Sequence, residues 1–90
     1  MQATLENREL LTEVVRALVD RPHEVRVEER RSEDASVMYI FVAPDDRGKV
    51  IGRSGTTVQS LRVLFGRIAA AAGRKIFIRI DGEDEGRHAA

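Results

Sequence analysis

The chain contains no cysteine, which excludes disulfide frameworks and thiolate chemistry. It carries no net charge: 15 Lys and Arg balance 15 Asp and Glu. A basic domain is the usual footprint of strong, non-specific duplex binding, so that class is disfavoured. No apolar run approaches the roughly 18 to 20 residues that a membrane span needs. The stretch from Met1 to Glu6 lacks a basic region followed by a long apolar one. No signal peptide and no membrane association are therefore expected, and a cytoplasmic location is. Aromatic residues are scarce: Tyr39, Phe41, Phe65 and Phe77 are the full set.

The remaining reactive side chains assemble no catalytic constellation. The histidines are His23, near a strand start, and His88, in the terminal stretch. Asp84 and Glu85 precede His88 by about one helical turn, but a solvated charge run is a simpler reading than a metal site. Ser32, Ser36, Ser54 and Ser60 have no evident base. The chain reads as a non-enzyme, with no metal and no cofactor.

What is present is an ordinary globular composition over 90 residues, 42% hydrophobic and 33% charged, enough for one small domain. Leu11, Val14, Val15 and Leu18 fall on one helical stripe, predicting a helix over Thr4 to Val19 with Thr4 as N-cap and Pro22 as its limit. Glu24 to Arg31 alternates as a strand, with Val25 and Val27 on one face and Arg26 and Glu28 on the other. A polar turn at residues 32–36 precedes a β-branched and aromatic run, Val37 to Val42, which predicts a second strand. A short helix is expected from Asp45 or Asp46 to Ile51, the acidic start suiting the helix dipole. Val58, Leu61, Phe65, Ile68 and Ala72 predict a longer helix over Thr56 to Ala72, stopped by Gly73. Ile76, Ile78 and Ile80 alternate with Phe77 and Arg79 in a last strand, Lys75 to Ile80. The order α-β-β-α-α-β implies an α+β domain of two layers, helices on one face of a three-stranded sheet. Residues 1–82 form this domain, and residues 83–90 read as a frayed acidic tail.

Charge is unevenly spread. Residues 44–75 hold seven Lys or Arg against two Asp, a local +5, while both flanking stretches are acidic. Taken alone, such a block serves as a solvated helix face as readily as it marks a site.

Inside that block lies Gly48-Lys49-Val50-Ile51-Gly52-Arg53-Ser54-Gly55, followed by Thr56-Thr57-Val58. Two glycines bracket one basic and one small polar residue, between two helical patterns. They would suit a plain cap and helix start, but that reading leaves the basic residue between them unexplained. Glycine also gives the bare backbone that close approach to a charged group requires. Helix-opening N–H groups together with Arg53 would make a local positive site.

The fragment Ile-Gly-x-x-Gly-x-x-Val, from Ile51 to Val58, resembles the signature of KH domains. With the element order, residues 4–81 resemble a type II (prokaryotic) KH domain, of the kind found in small bacterial single-KH proteins (KhpA-like). The resemblance implies a three-stranded mixed sheet and single-stranded RNA as ligand, clamped over about four nucleotides of backbone. It implies that Gly52 and Gly55 admit phosphate, that Arg53 supplies a forked cation and Ser54 a hydroxyl, and that Lys49 and Arg47 neutralise flanking phosphates. Val50, Ile51 and Val58 become candidates for the floor of an apolar groove between the two helices and the second strand, besides a core role. One such module without a stacking aromatic is expected to bind in the micromolar range, about −8 kcal/mol. The implied role is an RNA chaperone or post-transcriptional regulator. The implied partners are a second copy or a larger KhpB (Jag)-like RNA-binding protein. The long helix, where Val63, Leu64, Gly66, Ala70 and Ala71 fall largely off the core stripe, offers a contact surface. The alternative is a KH fold used for protein interaction, with RNA binding vestigial.

Strand alternation makes one further expectation. Arg79 facing solvent places Phe77, Tyr39 and Phe41 on the outer sheet surface, either as an exposed cluster or shielded by Arg stems.

Overall fold

The computed structural model describes residues 6–82. The expected N-cap Thr4 and the tail at residues 83–90 lie outside the described residues. Three helices and three strands follow the expected order: α1 (Asn7–Leu18), β1 (Arg26–Arg31), β2 (Ala35–Phe41), α2 (Arg47–Ile51), α3 (Thr56–Ala71) and β3 (Lys75–Ile80).

Glu6, not Thr4, is the N-cap of α1, and its N–H donates to Glu9 Oε1 at 3.2 Å. Leu11 and Val15 are fully buried, but Leu18 is 36% exposed. The helix stops there, and Val19 packs against the core in its place.

β1 starts later than expected, because Pro22 opens a 3-10 turn over Pro22–Glu24. β2 starts earlier. The Ser32 N–H donates to Ala35 O at 2.8 Å, which tightens the turn and draws Ala35 and Ser36 into the strand. Ser36 is buried, and its hydroxyl donates to Glu29 Oε2 at 2.6 Å, so the polar group on the inner row is satisfied.

The sheet order is β1-β2-β3, with β1 and β2 antiparallel and β2 and β3 parallel. Parallel neighbours need a crossover, which α2 and α3 supply. The glycine loop therefore sits in the middle of that crossover. Val27, Met38, Ile40, Ile78 and Ile80 point from the sheet into one core with Leu11, Val15, Val50 and Phe65. On α3, Val58, Leu61 and Phe65 are buried as expected, and Ala69 takes the fourth core position. Ala72 is the exposed C-cap. Gly73 follows at φ 71°, with its N–H on Ala70 O and that of Arg74 on Ala69 O, both at 2.9 Å.

Candidate nucleic-acid interface

Two glycines with different duties define the turn between α2 and α3. Gly52 closes α2: its N–H donates to Gly48 O at 2.8 Å, and its backbone lies at φ 80°, ψ 166°. That region is open essentially to glycine alone. A Cβ there would also collide with Thr57 Oγ1 and come 2.7 Å from the Thr57 backbone nitrogen. Gly52 is thus fixed by its own neighbours. Gly55 is at φ 77°, and a Cβ on it would meet nothing within 4 Å. The space over Gly55 is open.

Between them, Arg53–Gly55 forms a single 3-10 turn. Ser54 sits in the left-handed region at φ 57°, the one non-glycine residue with positive φ among the described residues. Such a conformation costs on the order of 1 kcal/mol. The Gly55 N–H is used internally, donating to Gly52 O at 3.0 Å, and the Thr56 N–H donates to Arg53 O. The Thr56 hydroxyl also donates to Arg53 O, at 2.9 Å. Among the described residues, nothing accepts from the N–H groups of Arg53 and Ser54. Both residues are exposed, and the Arg53 guanidinium has no carboxylate partner among the described residues.

The other expected site residues are placed differently. Val50 and Val58 are buried at 0% and 2% exposure, so they serve the core; Ile51 is half-buried beside the turn. Lys49 Nζ lies 3.3 Å from Asp20 Oδ2 and 4.0 Å from Asp46 Oδ1, with its side chain 45% exposed. Arg47 lies at the far end of α2. Its guanidinium is 3.4 Å from Asp81 Oδ2 and packs over Gly82.

The basic block of the sequence does not form one patch. Arg62 donates to Ile78 O at 2.9 and 3.1 Å and ties α3 to β3. Arg74 donates to the carbonyls of Ser32, Glu33 and Ala35 and holds the β1–β2 turn. Of the seven cations, only Arg53, Arg67 and Lys75 are exposed with no carboxylate or carbonyl partner among the described residues.

Sequence reasoning missed Asp46. It is buried at 2% exposure, and its carboxylate accepts the backbone N–H groups of Asp20 and Arg21 at 3.2 and 3.0 Å. It makes no cap bond to α2. Instead it braces the start of α2, and with it the turn, against the end of α1. Among the described residues, no cluster of His, Asp and Glu is arranged to hold a metal ion, and no helix is long and apolar enough to cross a membrane.

Comparison with known proteins agrees with this geometry. Residues 8–81 match the family model described as "KhpA/KhpB, KH domain". The chain is 44% identical over 75 residues to the RNA-binding protein KhpA of Leifsonia xyli subsp. xyli, covering 83% of this chain and 93% of the relative. It is 38% identical over 73 residues to that of Streptomyces coelicolor, covering 81% and 92% of the two chains. Against that of Clostridium acetobutylicum it is 33% identical over 73 residues, covering 81% and 97%. No solved structure gives a significant match. A glycine turn at the centre of a β-α-α-β crossover, an α-β-β-α-α-β order and a family match over almost the whole described chain lead to one assignment: the chain belongs to the KhpA/KhpB family of KH domains.

Proposed function

We propose that this protein binds single-stranded RNA through the turn Gly52-Arg53-Ser54-Gly55. The observation that carries the reading is the pair of unengaged N–H groups at Arg53 and Ser54, in a turn that also exposes the Arg53 side chain and leaves the space over Gly55 open. Adjacent N–H groups of this kind donate to a phosphate oxygen, and the guanidinium adds a forked, permanent charge. Lys49 contributes at longer range, since its ion pair with Asp20 is partly solvated and weak. Ile51 offers the accessible apolar edge for a base, with Val50 behind it. Arg47 keeps α2 docked on Asp81 rather than meeting phosphate directly. The relatives named above are RNA-binding proteins, which supports carrying the ligand class to this chain. The role that follows is RNA chaperoning or post-transcriptional control in the bacterial cytoplasm.

The test replaces Arg53 and Ser54 with Asp together. RNA crosslinking at the turn is expected to disappear while melting temperature and oligomeric state stay as in wild type. Unchanged crosslinking at the turn would refute the reading.

A second activity rests on α3. Val63 and Leu64 are 59% and 49% exposed and share an open apolar face with Gln59, Ser60 and Arg67. This face serves association with a second copy or with a KhpB (Jag)-like protein. Gly66 and the exposed Ala70 lie next to it along the helix.

A further inference from the structure

The sheet surface turned away from the helices differs in charge from the chain as a whole. Over 90 residues the charges cancel, yet this face presents four cations, Arg26, Arg30, Lys75 and Arg79, against a single acid, Glu28. Glu28 is already taken: its Oε2 lies 2.9 Å from Arg26 Nε. Arg30, Lys75 and Arg79 have no carboxylate partner among the described residues.

Aromatic rings are interleaved with these cations. On the central strand, Phe41 lies opposite Arg26, and Tyr39 lies between Glu28 and Arg79. Val37 separates Arg30 from Phe77 in the next row. The Arg26 guanidinium covers the Phe41 ring at 4.3 Å from its centroid, and Arg30 stands at 6.0 Å from that of Tyr39. Among the described residues no cation covers Phe77 in this way, and it is 51% exposed. The expected outer cluster is therefore part shielded and part open.

An apolar protein partner is a poor fit, because docking would desolvate three cations that have no counter-charge. A polyanion with flat bases supplies what both groups lack: phosphates for the cations and stacking surfaces for the rings. We infer that this open sheet face is a second binding surface for single-stranded RNA, with bases stacked on Phe77 and Tyr39 and backbone neutralised by Arg30, Lys75 and Arg79. It extends the ligand class proposed for the glycine turn but shares no residue with it, and it lies on the opposite side of the sheet from the helices.

The experiment uses the full chain and a fluorescein-labelled oligouridylate, read by anisotropy and by ultraviolet crosslinking with peptide mapping. Wild type is expected to crosslink at Tyr39 or Phe77 as well as at the turn. Phe77→Ala is expected to weaken binding by roughly fivefold or more, the contribution of one stacked base. Phe77→Leu keeps the apolar bulk without the ring; it is expected to melt like wild type and bind as weakly as the Ala variant. In the Arg53→Asp, Ser54→Asp double variant, crosslinks at the turn are expected to vanish while those on the sheet persist. Crosslinks confined to the turn, with Phe77→Leu binding like wild type, would overturn the inference and leave the turn reading intact. Unchanged binding by the double variant with loss in Phe77→Leu would refute the turn and retain the sheet. If Phe77→Leu changes only self-association, the face belongs to a protein partner and the inference fails.

Discussion

Asp46 Oδ2 accepts the backbone N–H of Arg21 at 3.0 Å, joining the start of α2 to the end of α1 across 25 residues of sequence. Asp20 donates to the other oxygen, and the carboxylate is almost wholly enclosed. Removing it strands two N–H groups and frees the N-terminal end of the short helix that leads into the turn. Asp46→Ala is expected to cost about 1 to 3 kcal/mol. In a domain this small each kcal/mol lowers the melting temperature by roughly 4 to 8 °C. A circular dichroism melt identical to wild type would contradict this role.

On the proposed reading, placement rather than the charge total of residues 44–75 sets which cations meet RNA. Arg53→Ala is expected to reduce the slope of log affinity against log salt by about 0.7, the value for one single-strand phosphate contact, with no change in melting. Arg74→Ala is expected to do the reverse: the turn over Ser32 to Ala35 loosens, stability falls by about 1 to 3 kcal/mol, and the salt slope stays. Salt titrations and denaturant curves on the two variants check both halves.

The two glycines of the turn are not equivalent. Gly55→Ala meets no atom and carries only the left-handed penalty, about 1 to 2 kcal/mol. Gly52→Ala adds a collision with Thr57 in a region open to glycine alone, so it is expected to cost more than Gly55→Ala by at least about 1 kcal/mol. Urea unfolding of both variants ranks them. Equal costs would mean that Thr57 yields freely.

Leu64 lies on the open face of α3, outside the core. Leu64→Glu is expected to leave the melting temperature within the range of surface changes, about ±0.5 kcal/mol, and to shift the sedimentation profile toward monomer. An unaltered profile would remove this face from the association surface.

Much of the architecture was legible because its signals are local. Ile76, Ile78 and Ile80 alternate without interruption, and Val58, Leu61 and Phe65 repeat at helical spacing, so element type and order follow from periodicity. Gly52 was legible for a similar reason: its backbone conformation excludes other residues, and that requirement is written in the residue type. What escaped was long-range. Asp46 has the local look of a helix-dipole acid, yet its partners lie 25 and 26 residues away. Arg47, Arg62 and Arg74 read as one basic block, but each side chain reaches a different strand or turn. Ser36 looked like turn chemistry because its half-buried acceptor, Glu29, sits on the neighbouring strand.

The parallel pairing of β2 with β3 has a consequence for synthesis. During translation the central strand has only β1 beside it, and its other edge stays unpaired until Lys75 to Ile80 leave the ribosome. The glycine turn lies within the segment that must wait for this closure. A nascent chain halted before β3 holds every residue of the turn but lacks the frame that aims them, so on the proposed reading competence for RNA is expected to arrive late and all at once rather than to grow with chain length.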